Sequence, residues 1–341
     1  MYFSANAGNG FHIWRQRFPN GEPEQVTAGA TEEQGLAFAP DGRSFVTSIG
    51  VEQNTIWVHD SHGERQVTFQ GYAYLPKFSP AGKRLYYMLR SGVSTRTWVS
   101  GELRVTDLES GEHQRLLSDF RMQDYSLSPD GKSVVFTAID DNGRLPVWIA
   151  ALDGSSPPRR LADVESGRAL FGPDGDVFFV QNGFLNRIRA DGGGRQKLIP
   201  DRVVILYGLS ADGKWAAVWK GKSVAIYSLD GGSAIELCSL CGTVGAEHRG
   251  ITPPVVSWSR DGRFLYVHFA WTTRETYAVP LHSGQILPPQ SKGGIHSVEE
   301  AAALPGAQRI PQLRAFIGDD PSVYAFMRNT SQRNIYRVPV P

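Results

Sequence analysis

The stretch Tyr125-Ser126-Leu127-Ser128-Pro129-Asp130-Gly131-Lys132-Ser133-Val134-Val135-Phe136 decides the fold. A short apolar stretch leads into it and a Val-Val-Phe run leads out, so it reads as strand, tight turn, strand. Pro129 fixes φ at the first corner, and Asp130 then Gly131 accommodate the positions that need bridge or left-handed geometry. The four-residue turn phrase recurs, ending at Gly42, Gly82, Gly131, Gly175, Gly213 and Gly262 at intervals of 40, 49, 44, 38 and 49 residues. A weaker seventh copy is Asp319-Asp320-Pro321.

A second series of turns falls between the first, at Gly21, Gly63, Gly111, Gly154, Gly192, Gly231 and Gly284. Its strands tend to end in an aromatic, as in Ile13-Trp14, Ile56-Trp57, Val147-Trp148 and Ile226-Tyr227, and Asp153-Gly154, Asp191-Gly192 and Asp230-Gly231 are hairpin signals. One period of about 44 residues therefore holds strands A, B, C and D, with tight turns from A to B and from C to D and a looser loop from B to C. Four antiparallel strands per period is the signature of a β-propeller blade. The fold class is all-β, a propeller of seven or eight blades read as one domain over residues 1–341.

The ends are irregular. Residues 1–27 supply a partial blade of B, C and D strands, whole repeats fill 31–290, and residues 312–341 supply A, B (Ser322 to Met327) and C (Asn334 to Val340). Either the two partial blades make an eight-unit array, or they share one blade and close a ring of seven. A start inside strand B also implies a piece cut from a longer protein. The insertion at 296–304 carries a short helix, with Ser297 as N-cap and Glu299 and Glu300 in its first turn.

Charge is nearly balanced, 35 Lys plus Arg against 34 Asp plus Glu in 341 residues, so the basic excess of nucleic-acid binders is missing and no nucleic-acid partner is expected. No apolar run approaches the ~20 residues of a membrane helix, and Met1 to Arg15 has neither a charged start nor an apolar core. Membrane insertion by this chain is not expected; its place is cytoplasmic by default, or periplasmic as the propeller of a larger membrane protein.

Because strand direction alternates, both series of tight turns share one face of the disk, and the B-to-C and D-to-A loops share the other. Irregular loops on a rigid scaffold usually carry binding. The candidate ligand-binding residues are Arg90, Arg96 and Trp98 in the loop from Arg90 to Gly101, Arg121 after Phe120, His248 and Arg249 in the stretch from Cys238 to Pro254, and Trp271 with Arg274. Arg and Trp are enriched in binding hot spots. Trp14, Trp57 and Trp148 recur at one place in strand C and read as packing between blades, and Trp215 and Trp219 share one face of a B strand and read as core.

Catalytic and metal motifs are few. Cys238-Ser239-Leu240-Cys241 has no second Cys pair to complete a structural zinc site, and it ends a D strand instead of opening a helix, so it reads as an inert pair. A Gly-x-Ser-x-Gly elbow, a phosphate-binding glycine loop and the kinase lysine after Val224-Ala225-Ile226 are all missing. The acidic pairs Asp140-Asp141 and Asp319-Asp320 sit beside turns, where Asp caps backbone NH groups. No catalytic residue, metal or cofactor is expected.

With these turns quoted, the sequence resembles the Ser-Pro-Asp-Gly repeats of the TolB-like β-propeller superfamily over nearly its whole length, and lacks the Trp-Asp dipeptides of WD repeats. It looks most like the carboxy-terminal propellers of bacterial membrane-bound Ser/Thr kinases and winged-helix regulators. The resemblance implies a non-catalytic module that senses a protein, peptide or small ligand. The alternatives are a propeller enzyme with His248 at its mouth and the propeller cap of a prolyl-oligopeptidase-type peptidase.

Overall fold

The computed structural model describes all residues except 8–9, 30, 70, 91–99, 240, 242–252, 270–274, 290–293, 313–314, 319 and 341. β1 (Tyr2–Asn6), β2 (Phe11–Arg15) and β3 (Glu24–Gln25) form a three-stranded sheet. They are followed by β4 (Glu32–Phe38), β5 (Ser44–Asp60), β6 (Gly63–Gln66), β7 (Tyr72–Phe78), β8 (Arg84–Arg90), β9 (Glu102–Asp107) and β10 (His113–Leu116). Four antiparallel sheets of four strands come next. The first is β11 (Met122–Leu127), β12 (Ser133–Ala138), β13 (Pro146–Ala151) and β14 (Arg159–Glu165). The second is β15 (Ala169–Phe171), β16 (Val177–Gln181), β17 (Phe184–Ile188) and β18 (Gln196–Lys197). The third is β19 (Ile205–Leu209), β20 (Trp215–Trp219), β21 (Val224–Ser228) and β22 (Ile235–Cys238). The fourth is β23 (Pro254–Trp258), β24 (Phe264–Phe269), β25 (Thr276–Pro280) and β26 (Gln308–Ile310), with helix α1 (Val298–Ala302) inserted before β26. β27 (Phe316–Ile317) and β28 (Tyr324–Pro339) complete the chain.

The turns are built as their residues dictate. Gly42, Gly82, Gly131, Gly175, Gly213 and Gly262 all have φ between 67° and 83°, the left-handed region that only glycine enters without strain. In three of these turns the Asp carboxylate accepts from the preceding Ser hydroxyl and from a backbone NH two residues on: Ser128 Oγ to Asp130 at 2.6 Å, Ser210 Oγ to Asp212 at 2.5 Å and Ser259 Oγ to Asp261 at 2.7 Å, with Lys132 N, Lys214 N and Arg263 N as the amides. Asp140 and Asp320 likewise accept from backbone NH groups, of Asn142 and Ser322. The Ser297 side chain accepts from Glu300 N as the N-cap of α1.

The closure differs from both sequence-based alternatives. β5 and β28 do not fold back as B-to-C hairpins. Each runs straight, and they pair antiparallel with one another from Tyr324↔His59 to Pro339↔Ser44. Each long strand therefore serves two sheets. The first half of β28 and the second half of β5 lie between β27 and β6, which makes a four-stranded blade. The first half of β5 and the second half of β28 lie beside β4, which makes a three-stranded one.

Among the described residues, six buried apolar clusters join six four-stranded units in a cycle. Phe136 and Met88 belong to the cluster between β7–β10 and β11–β14, and corresponding clusters link each next pair as far as β23–β26. Tyr266 and Phe326 then share a cluster, as do Ala325 and Leu85, so the blade of β27, β28, β5 and β6 sits between β23–β26 and β7–β10 and closes the ring. The sheet β1–β3 and the sheet of β4 with the outer halves of β5 and β28 stand outside this cycle. They pack on one another through Tyr2, Phe38 and Phe45, with ring centroids 5.4 to 6.4 Å apart.

Two features of the sequence allow the straight passage. At Gly50, opposite Arg333, an added Cβ would lie 2.2 Å from Gln332 O, so only glycine lets β5 and β28 approach. Arg333 is fixed there by Glu32 (3.1 Å) and Glu52 (3.6 Å).

Candidate functional site

The innermost strands carry the chemistry. β7, β11, β15 and β19 are the first strands of successive blades, and charged side chains bridge from each to the next. Lys77 of β7 donates to Tyr125 O and lies 3.5 Å from Asp124 of β11. Arg168, just before β15, lies 3.2 Å from the other Asp124 oxygen and donates to Leu206 O of β19 at 3.1 Å. Burial pushes the Lys77 ammonium below its usual range, and the Asp124 carboxylate pulls it partly back. Two cations share one carboxylate, so this inner wall holds a surplus positive charge.

Register irregularities aim these residues. β7 shifts register between Tyr74 and Lys77, with Leu75 at φ 50°, and β11 shifts between Met122 and Asp124. A bulge inserts one residue and turns the next side chain to the other face, which places a charge where strict alternation would put an apolar group. The Tyr125 hydroxyl then donates to the bulged Leu75 carbonyl at 2.7 Å.

Above this wall, on the loop face, stand the described members of the predicted set. Arg90 ends β8, one residue past the Leu89↔Glu102 pair, and Arg121 precedes the Gly101↔Met122 bridge, so the two arginines flank Gly101. The Arg90 guanidinium lies 4.5 Å over the Tyr72 ring, a cation–π contact. Arg121 is exposed, and its carbonyl accepts from Ile139 N at 3.3 Å. Arg96, Trp98, His248, Arg249, Trp271 and Arg274 lie outside the described residues. Phe120 belongs to the packing: its ring meets Phe136 at 5.0 Å and Trp148 at 4.9 Å. Trp57, Trp148, Trp215 and Trp219 pack against the interblade clusters, and Trp14 donates to Ala5 O at 3.1 Å.

Sequence reasoning missed Tyr74 and Gln123. The Tyr74 hydroxyl and Gln123 Oε1 are buried, and neither has a hydrogen-bond partner among the described residues. Tyr74 reaches the strip beside Gly101, where an added Cβ would lie 2.9 Å from its hydroxyl, and Gln123 follows the Met122 bridged to Gly101. Burial holds the Tyr74 phenol well above its usual pKa, so it is a neutral donor.

Cys238 and Cys241 are both buried, and burial pushes the Cys238 thiol up to about 12, so no thiolate forms near neutral pH. Among the described residues no group of three His, Cys, Asp or Glu side chains converges as metal ligands would. Nor is any described helix long and apolar enough to cross a membrane.

Among solved structures, a TolB protein of Agrobacterium tumefaciens matches 82% of this chain and 99% of its own, at TM-score 0.56 and 14% identity. The chain has a TolB-like β-propeller fold. Weaker likenesses extend to TolB from Acinetobacter baumannii (TM-score 0.49, 17% identity, 82% of this chain and 76% of that one) and to an oligogalacturonate lyase in complex with manganese (TM-score 0.48, 13% identity, 94% and 87%). No family model matches the chain, and no curated protein does. At these identities the TolB-like propeller is shared as architecture, and function must be argued from the site.

Proposed function

We propose that this TolB-like propeller is a non-catalytic recognition module that takes an anionic or amide-rich ligand, such as a peptide segment, at the loop-face rim between Arg90, Tyr74, Gln123 and Arg121. One observation carries the reading: a buried phenol and a buried amide oxygen, neither with a hydrogen-bond partner among the described residues, with the Arg90 charge acting on the phenol. A buried unpaired polar group costs about 1–3 kcal/mol, and a ligand that supplies an acceptor to Tyr74 and a donor to Gln123 recovers it. The positive inner wall below, with Lys77 and Arg168 around Asp124, favours a carboxylate or a carbonyl-rich backbone. The resemblance to the propellers of bacterial kinases and regulators supports a role as the sensory or protein-interaction part of a signalling protein.

The discriminating variant is Tyr74→Phe. It removes only a hydroxyl that has no partner among the described residues, so the melting temperature should hold or rise slightly. Affinity for a ligand found by calorimetry across acidic, amide-rich and neutral peptides should fall by about five- to tenfold, the worth of one hydrogen bond. Unchanged affinity would move the site elsewhere, and turnover of any of these peptides would make the protein an enzyme.

A further inference from the structure

The straight passage of β5 and β28 exchanges connections and leaves each half-strand in the position a blade requires. The first half of β5 sits as a B strand beside β4, and its second half sits as a C strand beside β6. The first half of β28 sits as a B strand beside β27. Its second half takes the C position, beside the first half of β5. In the other units B and C are consecutive arms of one hairpin: β1 with β2, β8 with β9, β12 with β13, β16 with β17, β20 with β21 and β24 with β25.

Two of those hairpins set a C-strand Trp opposite a B-strand Phe, Trp14↔Phe3 and Trp148↔Phe136, eleven and twelve residues apart in the chain. β28 carries Phe326 and Tyr336, and β5 carries Thr47 and Trp57, ten residues apart in each case. In the straight arrangement these four pair crosswise: Trp57 faces Phe326 and Thr47 faces Tyr336. Folding each strand back on itself would pair Phe326 with Tyr336 and Thr47 with Trp57 instead. The reversals would fall at residues 50–54 and 329–333, loops of a length that hairpins commonly use. Both ways of joining pair the same half-strands along the same edges, so each satisfies nearly the same backbone groups.

The crossing itself has little packing to hold it. Asn329 to Gln332 are exposed, and among the described residues the apolar clusters include none of 50–54 or 329–334. Arg333 is the lock on the straight pair, bound to Glu32 at 3.1 Å and lying 3.6 Å from Glu52. We infer that β5 and β28 form a two-state strand junction, whose connections exchange between the straight pair and two B-to-C hairpins. In the hairpin state the closing blade divides in two. The sheet β1–β3 and the sheet of β4, which already pack on one another through Tyr2, Phe38 and Phe45, then enter the ring between its parts. A ring of more units encloses a wider channel, so the exchange sets the width of the passage that the innermost strands line.

Two double-cysteine variants of the whole chain read the two states. Met327→Cys with Ile335→Cys puts the thiols on facing arms in the hairpin state. In the straight strand those positions lie eight residues, about 27 Å, apart and cannot bond. Glu52→Cys with Ser331→Cys face one another only in the straight state. The native Cys238 and Cys241 are buried and do not compete. In a glutathione redox buffer without denaturant, both pairs should link within single chains. Adding Arg333→Gln should raise the linked fraction of the first pair at least threefold and lower that of the second. The first linked product should keep the melting transition of the ring, which separates exchange from unfolding. Three results would each overturn the proposal: a first pair that stays reduced while the second links fully, a first pair that links only where the ring has melted, or first-pair disulfides that form only between chains.

Discussion

Asp124 shows how one residue organises the inner wall. It is paired with both Lys77 and Arg168, and Asp124→Asn would leave two half-buried cations facing one another. Breaking a fully buried pair costs roughly 3–5 kcal/mol, and partial solvation here reduces the expected loss to about 2 kcal/mol, readable as a lower urea midpoint. Asp130 gives the pH dependence. Hydrogen bonds from Ser128 Oγ and Lys132 N hold its carboxyl below the ordinary 3.8, so its stabilisation is complete above that value and is lost as pH falls through the lower folded one. The same direction holds at Asp212 and Asp261. Asp130→Asn should flatten the fall of melting temperature between pH 4 and about pH 2. At this scale Arg90 and Arg121 were candidates from the sequence alone, because arginine near an irregular loop suggests binding. Lys77, Asp124 and Tyr74 were not, because bulges in β7 and β11 decide which way they point, and a bulge has no composition of its own.

At the scale of the element, β5 and β28 matter most. The sequence predicts each as two strands with a loop between. The turn series places the other hairpins except β25 to β26, whose D strand lies beyond Gly284, residue 290 and α1, so the helix is inserted within that blade and not after it. Here the intervening residues, 50–54 and 329–334, carry no proline and no paired glycines, so nothing compels a reversal, and a facing strand of the same kind satisfies their backbone groups instead. Gly50→Val is the direct test. Its side chain would meet the Gln332 carbonyl and the Arg333 side chain, prise the two strands apart and expose to exchange the amides of Thr330, Gln332, Asn334 and Tyr336, which face β5. The ring blades, which do not include Gly50, should keep their protection. A uniform loss across the ring would show that the long pair holds both bodies together.

The whole molecule closes through a strand from each end of the chain, since the blade of β27, β28, β5 and β6 completes the cycle. Truncation after Asn329 leaves that blade intact and should shift the main melting transition little. Truncation after Pro321 removes Tyr324, Ala325 and Phe326 from two interblade clusters and should lower it by several degrees at least, as scanning calorimetry would show. The sequence by itself determined the all-β class, the four-strand period and the turn geometry, because these follow from local rules: glycine at positive φ, proline at a corner and apolar alternation. Only the tertiary structure decided how the ring closes and which polar groups share the inner rim. Both depend on pairing between residues nearly three hundred apart, such as Pro339 with Ser44, or on register within a bulge, and no local preference selects one such partner over another.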